Sequence, residues 1–117
     1  MTPTRTALAG ALLLVATGPL AACGTGTSAP THQRVSVTIK GSQVSPSPHQ
    51  VDLGAGSTLT LTVTSDHDDE LHAHGFEVEK PLKAGVPLTI TLKGAQPGLY
   101  EVETHHPPLR LLSVAVR

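Results

Sequence analysis

Thr58-Leu59-Thr60-Leu61-Thr62-Val63-Thr64 alternates hydroxyl and aliphatic side chains without a break. A strand sends successive side chains to opposite faces, so this run reads as a half-buried strand with a threonine outer face. The same period of two recurs on both sides of it. Val35, Val37 and Ile39 alternate with Ser36, Thr38 and Lys40; Leu88, Ile90 and Leu92 alternate with Thr89, Thr91 and Lys93. Leu112, Val114 and Val116 close the chain in the same way. Gly41-Ser42, Pro46-Ser47-Pro48, Gly54-Ala55-Gly56, Ala84-Gly85 and Gln96-Pro97-Gly98 separate these runs as turns. No window has a helical period. The pattern predicts an all-β fold, a Greek-key antiparallel β-sandwich of about seven strands. The expected strands are 34–40, 49–53, 58–64, 71–79, 86–93, 98–104 and 110–116.

The chain before the first strand has a different character. Arg5 precedes an apolar stretch, Ala7 to Val15, that is too short to span a bilayer comfortably. Small residues follow, ending Leu20-Ala21-Ala22-Cys23. This order resembles a bacterial lipoprotein signal, in which Cys23 is lipidated and becomes the new N-terminus. Residues 1–22 are therefore expected to be a lipoprotein signal peptide, and 23–33 a lipidated flexible tether of small polar residues. Residues 34–117 are the expected sandwich domain. Acyl chains such as palmitate on Cys23 would anchor the protein to the membrane without a transmembrane helix. The expected location is the extracytoplasmic cell envelope.

Composition narrows the function. With 8 Lys+Arg, 9 Asp+Glu and net charge −1, no basic stripe is available for nucleic acid. The one cysteine, Cys23, is taken by the anchor, and the one methionine is Met1. No thiol or thioether remains in the folded part for a soft metal or for catalysis. No Gly-x-Ser-x-Gly elbow is present. The chain is expected not to be an enzyme.

Seven histidines in 117 residues are the chemical signal. If 71–79 (LHAHGFEVE) is one strand, Phe76 and Val78 face the core and Glu77 and Glu79 face out. That parity puts His72 and His74 on the core side. In 98–104 (GLYEVET), Tyr100 and Val102 face in and Glu101 and Glu103 face out. Extended, this makes Thr104 and His106 inward and His105 outward. Two histidines at i, i+2 have Cα atoms about 6.7 Å apart on one face of a strand, and their imidazoles can bite one ion. The expected metal site is a rim cluster of His72, His74 and His106, with His105 as substitute or supporting partner. His32, His49 and His67 are expected to be exposed and without function. Asp66, Asp68, Asp69 and Glu70 lack the glycine and terminal glutamate of a calcium loop. They read as a solvated acidic turn that draws cations to the rim.

With Val44-Ser45-Pro46, Asp66 to Gly75 and Pro97 to Val102 set in order, most of 34–117 resembles the bacterial cupredoxin-like domains. The resemblance implies a copper-protein sandwich, with His72 or His74 matching a copper-binding histidine of the family. It also marks a departure. Thr104 stands where the ligand cysteine would be, no methionine follows, and Pro107 or Pro108 occupies the second-histidine region. A blue-copper centre needs the thiolate, so the resemblance is to a degenerate branch. Two functions stay open. One is a membrane-anchored protein binding a divalent metal, Cu(II) before Zn(II), through the rim histidines. The other is a metal-free cupredoxin-fold module that docks to an envelope partner protein.

Overall fold

The computed structural model describes residues 28–117 and the isolated positions 2, 3, 10, 18 and 24. The rest of the expected signal peptide, and the expected lipidation site Cys23, lie outside the described residues. Among the described residues no helix is long and apolar enough to cross a membrane.

Nine strands form among the described residues: β1 (His32–Lys40), β2 (Gln43–Ser45), β3 (His49–Leu53), β4 (Thr58–Ser65), β5 (Asp69–Ala73), β6 (Val78–Leu82), β7 (Leu88–Lys93), β8 (Gly98–His105) and β9 (Pro108–Val116). They make two sheets, ordered β2-β1-β4-β7 and β3-β9-β8-β5-β6. Each sheet is mixed: β1 runs parallel to β4, and β3 runs parallel to β9. The remaining pairs are antiparallel. This is the expected sandwich, with two parallel pairs and a short additional strand, β2, that three residues were too few to announce.

The core forms between the sheets from the aliphatic half of each alternation. Val37 and Ile39 of β1 and Leu59, Leu61 and Val63 of β4 are buried from one side. Leu71, Val102, Leu112 and Val114 are buried from the other. The hydroxyl half stays at the surface, where Thr62 Oγ1 lies 3.0 Å from Thr89 Oγ1 across β4 and β7. β1 begins at His32, two residues before the expected domain start. The Thr31 carbonyl accepts the Thr58 N–H at 3.0 Å, so chain assigned to the tether is already strand.

One element differs in a way that matters for the site. Residues 71–79 are not one strand. β5 stops at Ala73, residues 74–77 turn, and β6 begins at Val78, with Ala73 opposite Val78. Gly75 sits at φ +76°, and a Cβ built on it would lie 2.1 Å from Tyr100 Cδ1. Both the backbone angle and the space require glycine there. Glu77 also takes a positive φ, 55°. The turn resets the parity. Ala73 and Val78 are five residues apart, yet they pair, and Leu71 and Ala73 are the residues of β5 that face the core, both at 0% exposure. His72 therefore faces outward, opposite to the expectation.

Candidate metal centre

On the outer face of the five-stranded sheet, β5 lies between β6 and β8. Cross-strand partners share a face, so the pairing of His72 with Glu79 on one side and Glu103 on the other puts all three on that surface. His105 follows Glu103 by two residues on β8 and joins them. His74 arrives from the start of the turn. The ring centroids of His72 and His74 are 3.9 Å apart, and those of His72 and His105 are 5.7 Å apart. His74 Nε2 lies 2.7 Å from Glu103 Oε1. His105 Nε2 lies 4.0 Å from Glu79 Oε1, beyond hydrogen-bond reach.

Two groups of three satisfy metal-ligand proximity. In His72, Glu79 and His105, and again in His72, His74 and Glu103, one donor atom from each residue lies within 4.8 Å of the others. His105 Nε2 is buried and has no hydrogen-bond partner. A buried polar atom without a partner is costly, and here it belongs to a group with metal-ligand geometry. The residues therefore suit a borderline divalent ion held by neutral imidazole and carboxylate.

The charges nearby are arranged around the histidines. The His74 hydrogen bond holds the Glu103 carboxyl below its ordinary range, helped by the charges of His74, His105 and His72. Glu70 and Glu79 lie together. The hydrogen bond they share, with burial and like charge, raises Glu70; it lowers Glu79, which the three histidines lower further. Glu79 is thus the member of the pair whose charged form the three histidines favour.

The loops above the face are held by Asp69. Its side chain is fully buried, whereas the sequence suggested a solvated turn. Asp69 Oδ1 accepts the N–H of Glu70 at 2.7 Å, of His105 at 3.1 Å and of His106 at 2.8 Å. Burial pushes this carboxyl up, but the three N–H groups and the His67 ring together hold it below its ordinary value. His67 bridges Asp66 at 2.7 Å and Asp69 at 3.3 Å. The Asp66 hydrogen bond is the main cause of its raised pKa. His67 is thus half-buried and engaged, not the free surface residue expected.

Of the four expected ligands, the structure brings together His72, His74 and His105. His106 is exposed and enters neither group; its ring centroid is 6.4 Å from that of His105, and its N–H is held by Asp69. The parity read in β8 holds: Thr104 and Val102 face in, and Glu103 and His105 face out. The assembly forms on the outward side because β5 ends at Ala73 and the turn over 74–77 breaks the alternation expected through 71–79. Glu79, Glu103 and Asp69 were not proposed from sequence. Gly75, inside an otherwise alternating run, was the signal that would have found the first two.

Thr104 is 0% exposed, and its hydroxyl donates to the Pro107 carbonyl at 2.9 Å. The register position of a ligand cysteine is thus occupied by a closed, satisfied hydroxyl. The residues do not fit a thiolate copper centre; they fit a histidine–carboxylate site on the neighbouring outer face.

Comparison with known proteins places this architecture. No curated protein matches the chain. Among solved structures, a chain from the cryo-EM structure of a heme-copper terminal oxidase dimer superposes with a TM-score of 0.57 at 19% identity. The match covers 73% of this chain and 65% of that one, so the present chain spans less than two thirds of its length. At that identity the likeness is one of fold. A family model, the cupredoxin-like domain, matches residues 7–107, most of the chain. With the two-sheet topology and the extent of that match, the chain belongs to the cupredoxin-like domain family.

Proposed function

We propose that this protein is a lipid-anchored, extracytoplasmic cupredoxin-like protein that binds a divalent metal ion, Cu(II) in the first place. The ion is held on the outer face of the five-stranded sheet within the cluster of His72, His74, His105, Glu79 and Glu103, which forms two groups of three. The observation that carries the reading is the buried, unpartnered His105 Nε2 beside His72 and Glu79. Among the described residues that nitrogen has no hydrogen-bond partner, and a metal ion would give it one. The ligand set is imidazole and carboxylate, which favours Cu(II) or Zn(II) and gives Cu(I) little hold. The role is capture or delivery of the ion at the cell surface, not turnover of a substrate. Anchoring through Cys23 rests on the signal pattern alone.

The closed Thr104 hydroxyl supports a second reading, in which the fold has lost the family's metal and is kept as an interaction module for an envelope partner. The two separate in one experiment. Full chain in detergent is melted with and without Cu(II), alongside His72→Ala/His74→Ala. Metal at a hundred times its dissociation constant stabilises the wild type by about 2.7 kcal/mol through linkage. The double variant shows no such shift. Equal melting of both proteins with and without copper overturns the metal reading.

A further inference from the structure

The two ligand triads share one residue. His72 belongs to both; Glu79 and His105 belong to the first, and His74 and Glu103 to the second. We propose that this face is a single-ion site with two alternative positions that pivot on His72, and that the ion prefers the position made by Glu79 and His105. The proposal rests on the metal-binding reading and adds where the ion sits and how it moves.

The two positions are unequal before any ion arrives. In the second, His74 and Glu103 already satisfy each other at 2.7 Å. An ion entering there must break that hydrogen bond and displace its proton. In the first, His105 Nε2 is buried without a partner and stands 4.0 Å from the Glu79 carboxylate. An ion there satisfies a ring nitrogen that has no partner and leaves the His74–Glu103 hydrogen bond intact. The first position is thus ready for the ion, and the second is occupied by its own internal pair.

Simultaneous occupancy is disfavoured by the shared residue. Two dications on one imidazole require both ring nitrogens as ligands, hence loss of the ring proton, and place two like charges on either side of one ring. One ion moving between two positions needs neither. Each triad supplies two imidazoles and one carboxylate, and leaves coordination positions toward solvent for water or for the donor of an acceptor molecule. An ion that shifts toward His74 and Glu103 keeps its hold on His72 throughout. This is a route by which a bound ion can be passed on without being released.

The experiment is Cu(II) titration of the full chain in detergent by calorimetry and electron paramagnetic resonance. It includes His72→Ala, His105→Ala, His74→Ala, the His74→Ala/His105→Ala double variant, and the triple variant as background. Loss of residues that merely orient a ligand costs 10–100-fold in affinity. One ion per chain is expected, with His72→Ala weakening binding by at least about a hundredfold. His105→Ala weakens it by roughly tenfold and changes the resonance spectrum, because the ion moves to the second position. His74→Ala leaves affinity within about threefold and the spectrum unchanged, a loss below that expected for removing even an orienting residue. The double variant falls to the level of His72→Ala. Glu79→Gln, nearly isosteric, repeats the His105→Ala spectrum and guards against a folding defect. Two ions per chain overturns the proposal in favour of a bridged pair. Equal losses from His74→Ala and His105→Ala overturn it in favour of one undivided centre. Wild-type binding no tighter than the triple variant overturns both this proposal and the metal reading beneath it.

Discussion

The two outer faces of this sandwich are built by the same rule and end in different chemistry. On the four-stranded sheet many of the outward residues are threonines, such as Thr60 and Thr62 of β4 opposite Thr91 and Thr89 of β7. Hydroxyls donate and accept, so neighbours such as Thr62 and Thr89 satisfy one another and water satisfies the rest. On the five-stranded sheet the outward residues are His72, Glu79, Glu103 and His105. A neutral imidazole offers one donor and one acceptor and a carboxylate only acceptors, so even with His74 and Glu103 paired the cluster holds more lone pairs than N–H groups. A surface of self-complementary groups is inert, and a surface with an excess of acceptors invites a cation.

The largest expected effect on this contrast comes from Gly75→Ala. The added methyl meets the Tyr100 ring and the positive φ disfavours it, for a cost of about 2–4 kcal/mol. The damage is confined to the histidine side, because the turn carries His74. Chemical denaturation gives the cost. Copper titration then shows whether His105 and His72 keep their position when His74 is displaced.

Asp69→Ala comes next. It removes the acceptor for the N–H groups of Glu70, His105 and His106 and costs about 2 kcal/mol. Asp69→Asn keeps an oxygen for those donors and recovers most of the loss. Acid sharpens the same point. The folded pKa values of Asp69 and Glu103 lie below their unfolded values, so their stabilisation is present above pH of about 4 and is lost as pH falls through the folded values. Metal binding weakens in acid as well, because protons compete with the ion for its imidazole and carboxylate ligands. Denaturation and titration at pH 5 and pH 7 check both halves.

The smallest effect is expected on the opposite face. Thr62→Val loses the hydroxyl contact with Thr89, changes stability by within about 0.5 kcal/mol, and leaves copper binding untouched. A drop in copper affinity from this variant would show that the two faces are coupled through the core.

The strands were legible because alternation is a local property. Leu59, Leu61 and Val63 announce β4 whatever surrounds them, and the structure buries all three. The site was half legible for the same reason. His72 and His74 stand out by type, but which way they face depends on whether Gly75 continues the strand or turns it. That choice is decided by Tyr100, a residue 25 positions away in the chain, whose ring leaves no room for a side chain at Gly75. Asp69 was hidden by a related effect. Its neighbours Asp66 and Asp68 are exposed, and nothing in an acidic run says which member turns inward. Only the approach of the β8–β9 hairpin, with its N–H groups unpaired, selects Asp69.

The entry point of the chain has a consequence for orientation. Ser28, Ala29 and Thr31 line one cavity with Gly54, Ala55, Ser57 and Arg117, and the Thr31 N–H donates to Ser57 Oγ at 2.9 Å, so the N-terminal segment meets the sandwich where β9 ends. β8 begins at that same end, with Gly98 opposite Val116, and His105 closes its other end. The eight residues of β8 give seven rises of about 3.3 Å between the two, roughly 23 Å along the strand. A domain leashed to a bilayer from its N-terminal side would thus carry His105 at its outer tip, where a soluble donor or acceptor of the ion meets it before it meets the lipid.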